Sequence, residues 1–406
     1  MTTAGASSRP PRVLALATTL PAKSGDGTAA EFVLTLAQGM ANRFNVMILA
    51  PRVPDGARRE IIGDVAVRRF AYFPRRWEDL ATDAILPTLH ERPGMVIQAP
   101  SLVLSMIWHA LRLGRLSGPD VIHAHWIFPG GLAALFAKCL LGIPYILTIH
   151  GADAYAFQFR ALQPLKRLVL REAEAVLPVS RDIAEGLDEE PVGEVLPMGV
   201  DFDAIASGVG VREPVAGQLF FVGRLAEKKG VDVLLKALVD VPGCTLRVGG
   251  DGPERARLEG QATELGLDDR VEFLGRLGRE EILQELKHAA AVVLASRVAK
   301  DGDQDGTPVV MMEAVAAGAP VIASNLGGLG EYLDDGRTGL LAKPADVKSL
   351  VAALQRATAD PAALEAVGSR ARESLEPTLS LRGVADRYSS HLEAAIDLAI
   401  PRGPSL

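Results

Sequence analysis

A chain of 406 residues is too long for one ordinary hydrophobic core and implies two domains of roughly 200 residues each. Hydrophobic residues make up 48% and aromatic residues only 5%, the profile of a packed α/β protein, and the formal net charge of −7 excludes a general nucleic-acid binder, which needs a summed positive field. Cys139 and Cys244 lie far apart in apolar surroundings without metal-ligand spacing, so both are expected to be buried thiols of a reducing cytosol, with no metal and no disulfide scaffold.

The N-terminus lacks the apolar core of a signal peptide, and no run approaches about 20 uninterrupted apolar residues. A soluble cytoplasmic protein is expected, at most peripheral at the inner face of a membrane. Residues 12–20 (RVLALATTL) read as a buried strand running into a loop where Gly25 and Gly27 bracket Asp26. Such a loop brings backbone N–H groups against a ligand, although the dinucleotide fingerprint is incomplete. A helix over 31–42 and strands over 46–51 and 65–72 continue a βαβ pattern, which favours a parallel, doubly wound sheet. The irregular stretch 72–116 holds Arg75, Arg76 and Trp77 and then an apolar helix ending near Arg112 and Arg115. That helix is either a buried domain helix or one lying on a membrane surface or lipid substrate. Strands 120–126 (DVIHAHW) and 145–151 (YILTIHG) each end in a histidine-bearing loop. Ligands of open α/β sheets bind beyond the carboxyl ends of strands, so His125 and especially His150, with Gly151 and Asp153, fall where chemistry is expected, while His123 is structural. Residues 1–203 form the first domain, 204–217 the linker, 218–378 the second domain and 379–406 a terminal helix returning to the first.

The second sheet opens with 219–225 (LFFVGRL). Gly223 and Gly230 flank Arg224, Lys228 and Lys229, a basic loop able to clamp a pyrophosphate, or else simply solvated. At the end of the strand over 271–274, Gly275 and Arg276 stand where backbone groups can meet a base. The organising stretch is 301–320 (DGDQDGTPVVMMEAVAAGAP). Thr307 is a fitting N-cap, Pro308 suits the first helical position and Gly318 a C-terminal cap. On that helix 305, 309 and 313 share one face, so Asp305 sits just beyond the N-terminus and Glu313 two turns deeper. The N–H groups of Gly306, Val309 and Val310 point where a phosphate can sit. An anion site in line with two carboxylates describes a nucleotide sugar. The acidic run begins like a calcium loop, but its twelfth position is Met312, and Asp301 to Asp303 spells a D-x-D in the wrong domain plan.

The segments GRLAEKKG, GDGPERARLE and VEFLGRL, and above all DGTPVVMMEAVAAGAPVIAS followed by GGLGEYLDDGRTGLLAKP, resemble family 4 of the retaining glycosyltransferases with the GT-B fold, the glycosyl transferases group 1. The match covers nearly the whole second half. The first half agrees more loosely through SGDGT, DVIHAHW and LTIHGAD. The resemblance implies two Rossmann-like domains facing across a cleft, a nucleotide-diphosphate sugar as donor, and a glycan or lipid-linked carbohydrate as acceptor. It implies that Glu313 holds the ribose hydroxyls and that Asp305, where the family usually has the longer Glu, faces the donor sugar. Arg224 and Lys229 would bind the diphosphate, Val309 and its neighbours would add backbone N–H groups, and His150 would lie beside the transferred sugar. No cofactor or essential metal is implied. A nucleotide-sugar epimerase on the same two-domain plan and a noncatalytic sugar-binding scaffold are the competing readings.

Overall fold

The computed structural model describes residues 9–22, 31–82, 85–151, 162–187, 193–300 and 302–399. The first sheet contains β1 (Arg12–Leu16), β2 (Asn45–Pro51), β3 (Arg59–Ile62), β4 (Val65–Phe70), β5 (Val121–His125), β6 (Tyr145–Ile149) and β7 (Ala175–Pro178), in the order β3-β4-β2-β1-β5-β6-β7. All its neighbours are parallel except β3, which pairs antiparallel with β4. The second sheet runs β10-β9-β8-β11-β12-β13 and is parallel throughout, with β8 (Val215–Val222), β9 (Thr245–Gly249), β10 (Val271–Gly275), β11 (Ala289–Leu294), β12 (Val321–Ser324) and β13 (Leu340–Ala342). Two doubly wound, Rossmann-like domains result.

The sequence dictates this plan through its apolar runs. The central strands β1, β5, β6, β11 and β12 are buried along nearly all their length, as strands covered by helices on both faces must be. The edge strand β3 has no such run. It is half polar (REII), is joined to β4 by the two-residue turn Gly63–Asp64 with Gly63 at φ +58°, and was not read from the sequence. In each sheet the strand order reverses at one point, between β1 and β5 and between β8 and β11. Crevices beyond the carboxyl ends of those strands are where such folds hold ligands.

The stretch 204–217 carries most of the helix Phe202–Val209, capped by Asp201 whose carboxylate accepts from the Ala204 N–H at 2.9 Å, and the start of β8. The final helix, Leu381–Ala399, turns a stripe of Val384, Tyr388, Leu392 and Ala395 into the first domain's core, against the helix Glu31–Met40 and strands β5 and β6. The helix Ala99–Ser117 buries Leu102, Met106, Ala110 and Leu113 but leaves Leu104, Trp108 and Leu116 outside. One cysteine departs from expectation. Cys244 is fully buried, and burial raises its thiol, but Cys139 is exposed because the helix Leu132–Leu141 turns Ala133, Ala134 and Ala137 inward instead.

Candidate active site

The site is built at the carboxyl ends of β8 and β11. Chain direction reverses sharply after β8, and two glycines make this feasible. Gly230 has φ +62° and a Cβ there would lie 1.9 Å from the Ala295 carbonyl oxygen; Gly250 has φ +122° and its Cβ would lie 1.9 Å from the Gly223 oxygen. No L side chain tolerates either approach, so the Gly223–Gly230 loop is pinned against the ends of β9 and β11. Lys229 is thereby directed at the loop that follows β11.

There its ammonium donates to Asp305 Oδ2 at 2.8 Å, and the Ser296 hydroxyl donates to the same oxygen at 2.9 Å. Lys228 lies 3.7 Å from the other Asp305 oxygen and 2.9 Å from Asp303. Asp305 is almost enclosed, its side chain 10% exposed. Burial alone would raise its carboxyl, but Lys229, Lys228 and the Ser296 bond outweigh that and hold it below the usual range. It is an ionised carboxylate.

Eight residues on, Glu313 is paired with Arg279, the first residue of the helix Arg279–His288. Burial pushes its carboxyl up, and the guanidinium only partly offsets this. Asp305 and Glu313 therefore differ in character: one is locked ionised beside two lysines, the other is held in a drier place beside one arginine. The helix between them spans Val309–Ala316. Its N-cap is Pro308, one residue later than expected, and Thr307 does not cap it; the Thr307 hydroxyl instead donates across to the Val179 carbonyl at the end of β7, at 2.8 Å. Gly318 does close the helix, at φ +70°. The Val309 and Val310 N–H groups, in the first turn, have no acceptor within the helix.

Arg224 reaches the other domain. Its guanidinium is paired with Glu91, at the end of the helix Ile85–Glu91. Further contacts cross at the same level: the Arg181 N–H donates to Glu331 at 2.8 Å, and Gln304 bonds Asp182. Gly306 belongs to this seam as well, since a Cβ on it would lie 2.9 Å from Ile183 and 3.4 Å from the His150 carbonyl oxygen.

His150 closes the opposite wall. Its ring lies 4.6 Å from Trp126, 4.9 Å from Phe32 and 5.3 Å from His125, and its Nε2 is 3.0 Å from His125 Nδ1, one of the two nitrogens donating. Inward from His125, the His123 ring follows at 4.2 Å, its Nε2 2.8 Å from the Thr148 hydroxyl. Burial lowers all three, His123 and His150 to about 3, so the row is neutral at physiological pH. A neutral imidazole there can position a hydroxyl but carries no charge to a diphosphate.

Of the residues singled out in the sequence, Lys229, Asp305, Gly306, Thr307, Pro308, Val309 and Glu313 lie along one line, and Gly223 borders it, a Cβ there falling 3.7 Å from the Lys229 side chain. Arg224 faces this line from a position shared with Glu91. Gly275, at φ +74°, ends β10, and Arg276 stands at the rim, three-quarters exposed and 3.9 Å from Asp251. Gly25, Gly27, Asp153 and Asp301 lie outside the described residues. Sequence reasoning missed Ser296, Arg279 and Glu91. Ser296 was findable, standing at the carboxyl end of a switch-point strand; the other two are set by packing between distant segments and leave no local signal.

Two domain families match the chain. Residues 27–197 match the glycosyl transferase 4-like domain and residues 215–374 the glycosyl transferases group 1 domain. The glycogen synthase of Mycobacterium tuberculosis is 31% identical over 321 residues, covering 74% of each chain. In fold, the chain is similar to sucrose-phosphate synthase from Thermosynechococcus elongatus, with TM-score 0.75, 22% identity and coverage of 96% of this chain and 100% of that one. It is also similar to Anabaena HepE, solved in complex with UDP and glucose, with TM-score 0.70, 20% identity and coverage of 94% and 99%. The chain therefore belongs to the GT-B glycosyltransferases that join a glycosyl transferase 4-like domain to a glycosyl transferases group 1 domain.

Proposed function

We propose that this glycosyltransferase takes its nucleotide-diphosphate sugar in the cleft above β8 and β11 and transfers the sugar with retention to a hydroxyl of a glycan or lipid-linked carbohydrate, in cell-surface or exopolysaccharide biosynthesis at the cytoplasmic side of a membrane. The observation that carries the donor assignment is the line of Lys229, Asp305, the first turn of the Val309–Ala316 helix and Glu313. In this reading Glu313 accepts from the two ribose hydroxyls. The diphosphate lies over the Val309 and Val310 N–H groups, where the helix dipole favours negative charge, with Lys229 and Arg224 on either side. Asp305 accepts from hydroxyls of the donor sugar while Ser296 and Lys228 keep it ionised.

The bond from the anomeric carbon to the diphosphate oxygen breaks as the acceptor oxygen bonds to the same carbon, and the acceptor proton passes to the departing diphosphate. The developing charge falls between Arg224, Lys229 and the helix N-terminus, so these cations contribute most in the transition state. His150, neutral, orients a sugar hydroxyl. No metal or cofactor is assigned a part. The epimerase reading has no support from either matched domain or from the relatives described. UDP bound to the similarly folded HepE makes a uracil nucleotide the first donor to test.

The test is calorimetric titration of the protein with UDP, GDP and ADP in EDTA. Binding of one diphosphate that is lost in Lys229→Ala supports the proposal. Absence of binding by all three, or binding indifferent to Lys229, would sink it.

A further inference from the structure

Away from the cleft, a cavity of about 290 Å³ opens between the ends of β2, β3 and β4 and the helix Ala99–Ser117, and six arginines line it: Arg52, Arg58, Arg59, Arg68, Arg69 and Arg112. Among the described residues, carboxylates pair with two of them. Arg69 is buried against Glu60 at 3.0 Å and Arg52 is paired with Glu78. Among the described residues no carboxylate pairs with Arg58, Arg59, Arg68 or Arg112. Arg59 and Arg68 also face each other directly across the antiparallel β3–β4 pair, an arrangement of like charges that costs stability unless an anion relieves it.

Arg112 also lies on the outer face of the neighbouring helix, one turn after Trp108. That face is apolar where a solvated helix would be polar: Leu104, Trp108 and Leu116 are 67%, 63% and 70% exposed, and Ile97 just before the helix is 71% exposed. From Pro93 to Ser117 there is no Asp or Glu, and the stretch is long and apolar enough to cross a membrane by length and composition, yet the helix packs on β2 and β4. Beside its start, the Gln98 side chain donates to the Trp77 carbonyl, and Trp77 is half exposed with the Arg76 guanidinium 3.9 Å from its ring centroid. Large apolar side chains on an acid-free helix, flanked by four arginines that no carboxylate pairs with among the described residues, are the complement of an anionic headgroup layer over hydrocarbon.

We propose that this face docks on an anionic bilayer, with Ile97, Leu104, Trp108 and Leu116 entering the headgroup boundary and the arginine cavity holding lipid phosphates. The cavity is lined by none of the donor-site residues, so docking is measurable without turnover and its failure leaves the donor assignment standing.

The test is co-sedimentation of the full chain with phosphatidylcholine vesicles, with or without about 30% phosphatidylglycerol as the anionic lipid. Binding to the anionic vesicles alone, weakening with salt, is expected. Removing three exposed arginines (R58S, R59S and R112S together) should weaken it on the order of 100-fold, at roughly five-fold per arginine, and L104S with W108S should weaken it comparably. A melting temperature no lower than the parent's shows that each variant is folded. Equal binding to neutral vesicles, or arginine variants that bind like the parent, would overturn the proposal. So would inorganic phosphate or pyrophosphate binding at these arginines with no vesicle binding, which would make the cavity a site for a soluble anion.

Discussion

The ion pair between Arg224 and Glu91 joins the two domains across the mouth of the proposed donor site, and it engages one nitrogen of the guanidinium proposed to bind the diphosphate. A donor that draws on the same nitrogen, Arg224 Nη2, must break this pair. Both side chains are partly exposed, 27% for Arg224 and 39% for Glu91, so solvent screens the pair and its worth is at most about 1 kcal/mol. Glu91→Gln removes that competitor and leaves the bulk unchanged, so a nucleoside diphosphate should bind up to about five-fold more tightly. The gain should shrink as salt is raised through the range where the Debye length falls below about 10 Å. Arg224→Ala should weaken binding by about 2 kcal/mol, the scale of a charge-assisted hydrogen bond. In that background Glu91→Gln should have no effect. Calorimetry on the four proteins of this cycle reads the coupling directly. If Glu91→Gln binds diphosphate no better than the parent, or improves it equally when Arg224 is absent, Arg224 is not shared between Glu91 and the ligand.

Three further outcomes follow from the same geometry. His123, His125 and His150 are held neutral in the fold but take up protons near pH 6.5 when unfolded, so stability should fall as pH drops below that value towards 3, by up to about 1.4 kcal/mol per pH unit for each. Urea denaturation at pH 7.5 and 5.0 measures it, and H123N should flatten the slope. Asp305 acts with the same sign in a lower window: its depressed carboxyl contributes stability above the unfolded value near about 4, lost as pH falls further, and Lys229→Met should flatten that acid-side slope while costing about 2 kcal/mol at neutral pH. Gly230→Ala, with a positive φ and its new methyl driven onto the Ala295 oxygen, should cost at least about 2 kcal/mol by urea titration and displace Lys229.

The parts of this molecule that were legible in the sequence are those governed by local rules. Long apolar runs such as RVLAL and AAAVVL declare buried parallel strands, and Gly318 closes a helix wherever the chain places it. The line from Asp305 to Glu313 follows from helix periodicity alone. What was not legible depends on partners distant in the chain. Thr307 has the chemistry of a cap, and only the approach of Val179 from the other domain diverts its hydroxyl. The Arg279–Glu313 and Arg224–Glu91 pairs each join segments that no spacing relates, and β3 escaped because a four-residue, half-polar edge strand is specified mainly by its neighbour. Cys139 was misplaced because an apolar neighbourhood in sequence does not say which face of a helix turns inward.

The central claim is that Glu313 holds the nucleotide of the donor. The decisive measurement is titration of Glu313→Ala with the diphosphate that the parent protein binds, alongside its melting temperature. Loss of the hydrogen bonds to two ribose hydroxyls, about 1.5–3 kcal/mol for each bond to a charged group, should weaken binding by at least 100-fold. Because burial already raises the Glu313 carboxyl, the substitution removes a strained charge, and the fold should persist. A folded Glu313→Ala protein with the parent's affinity and turnover would contradict the account.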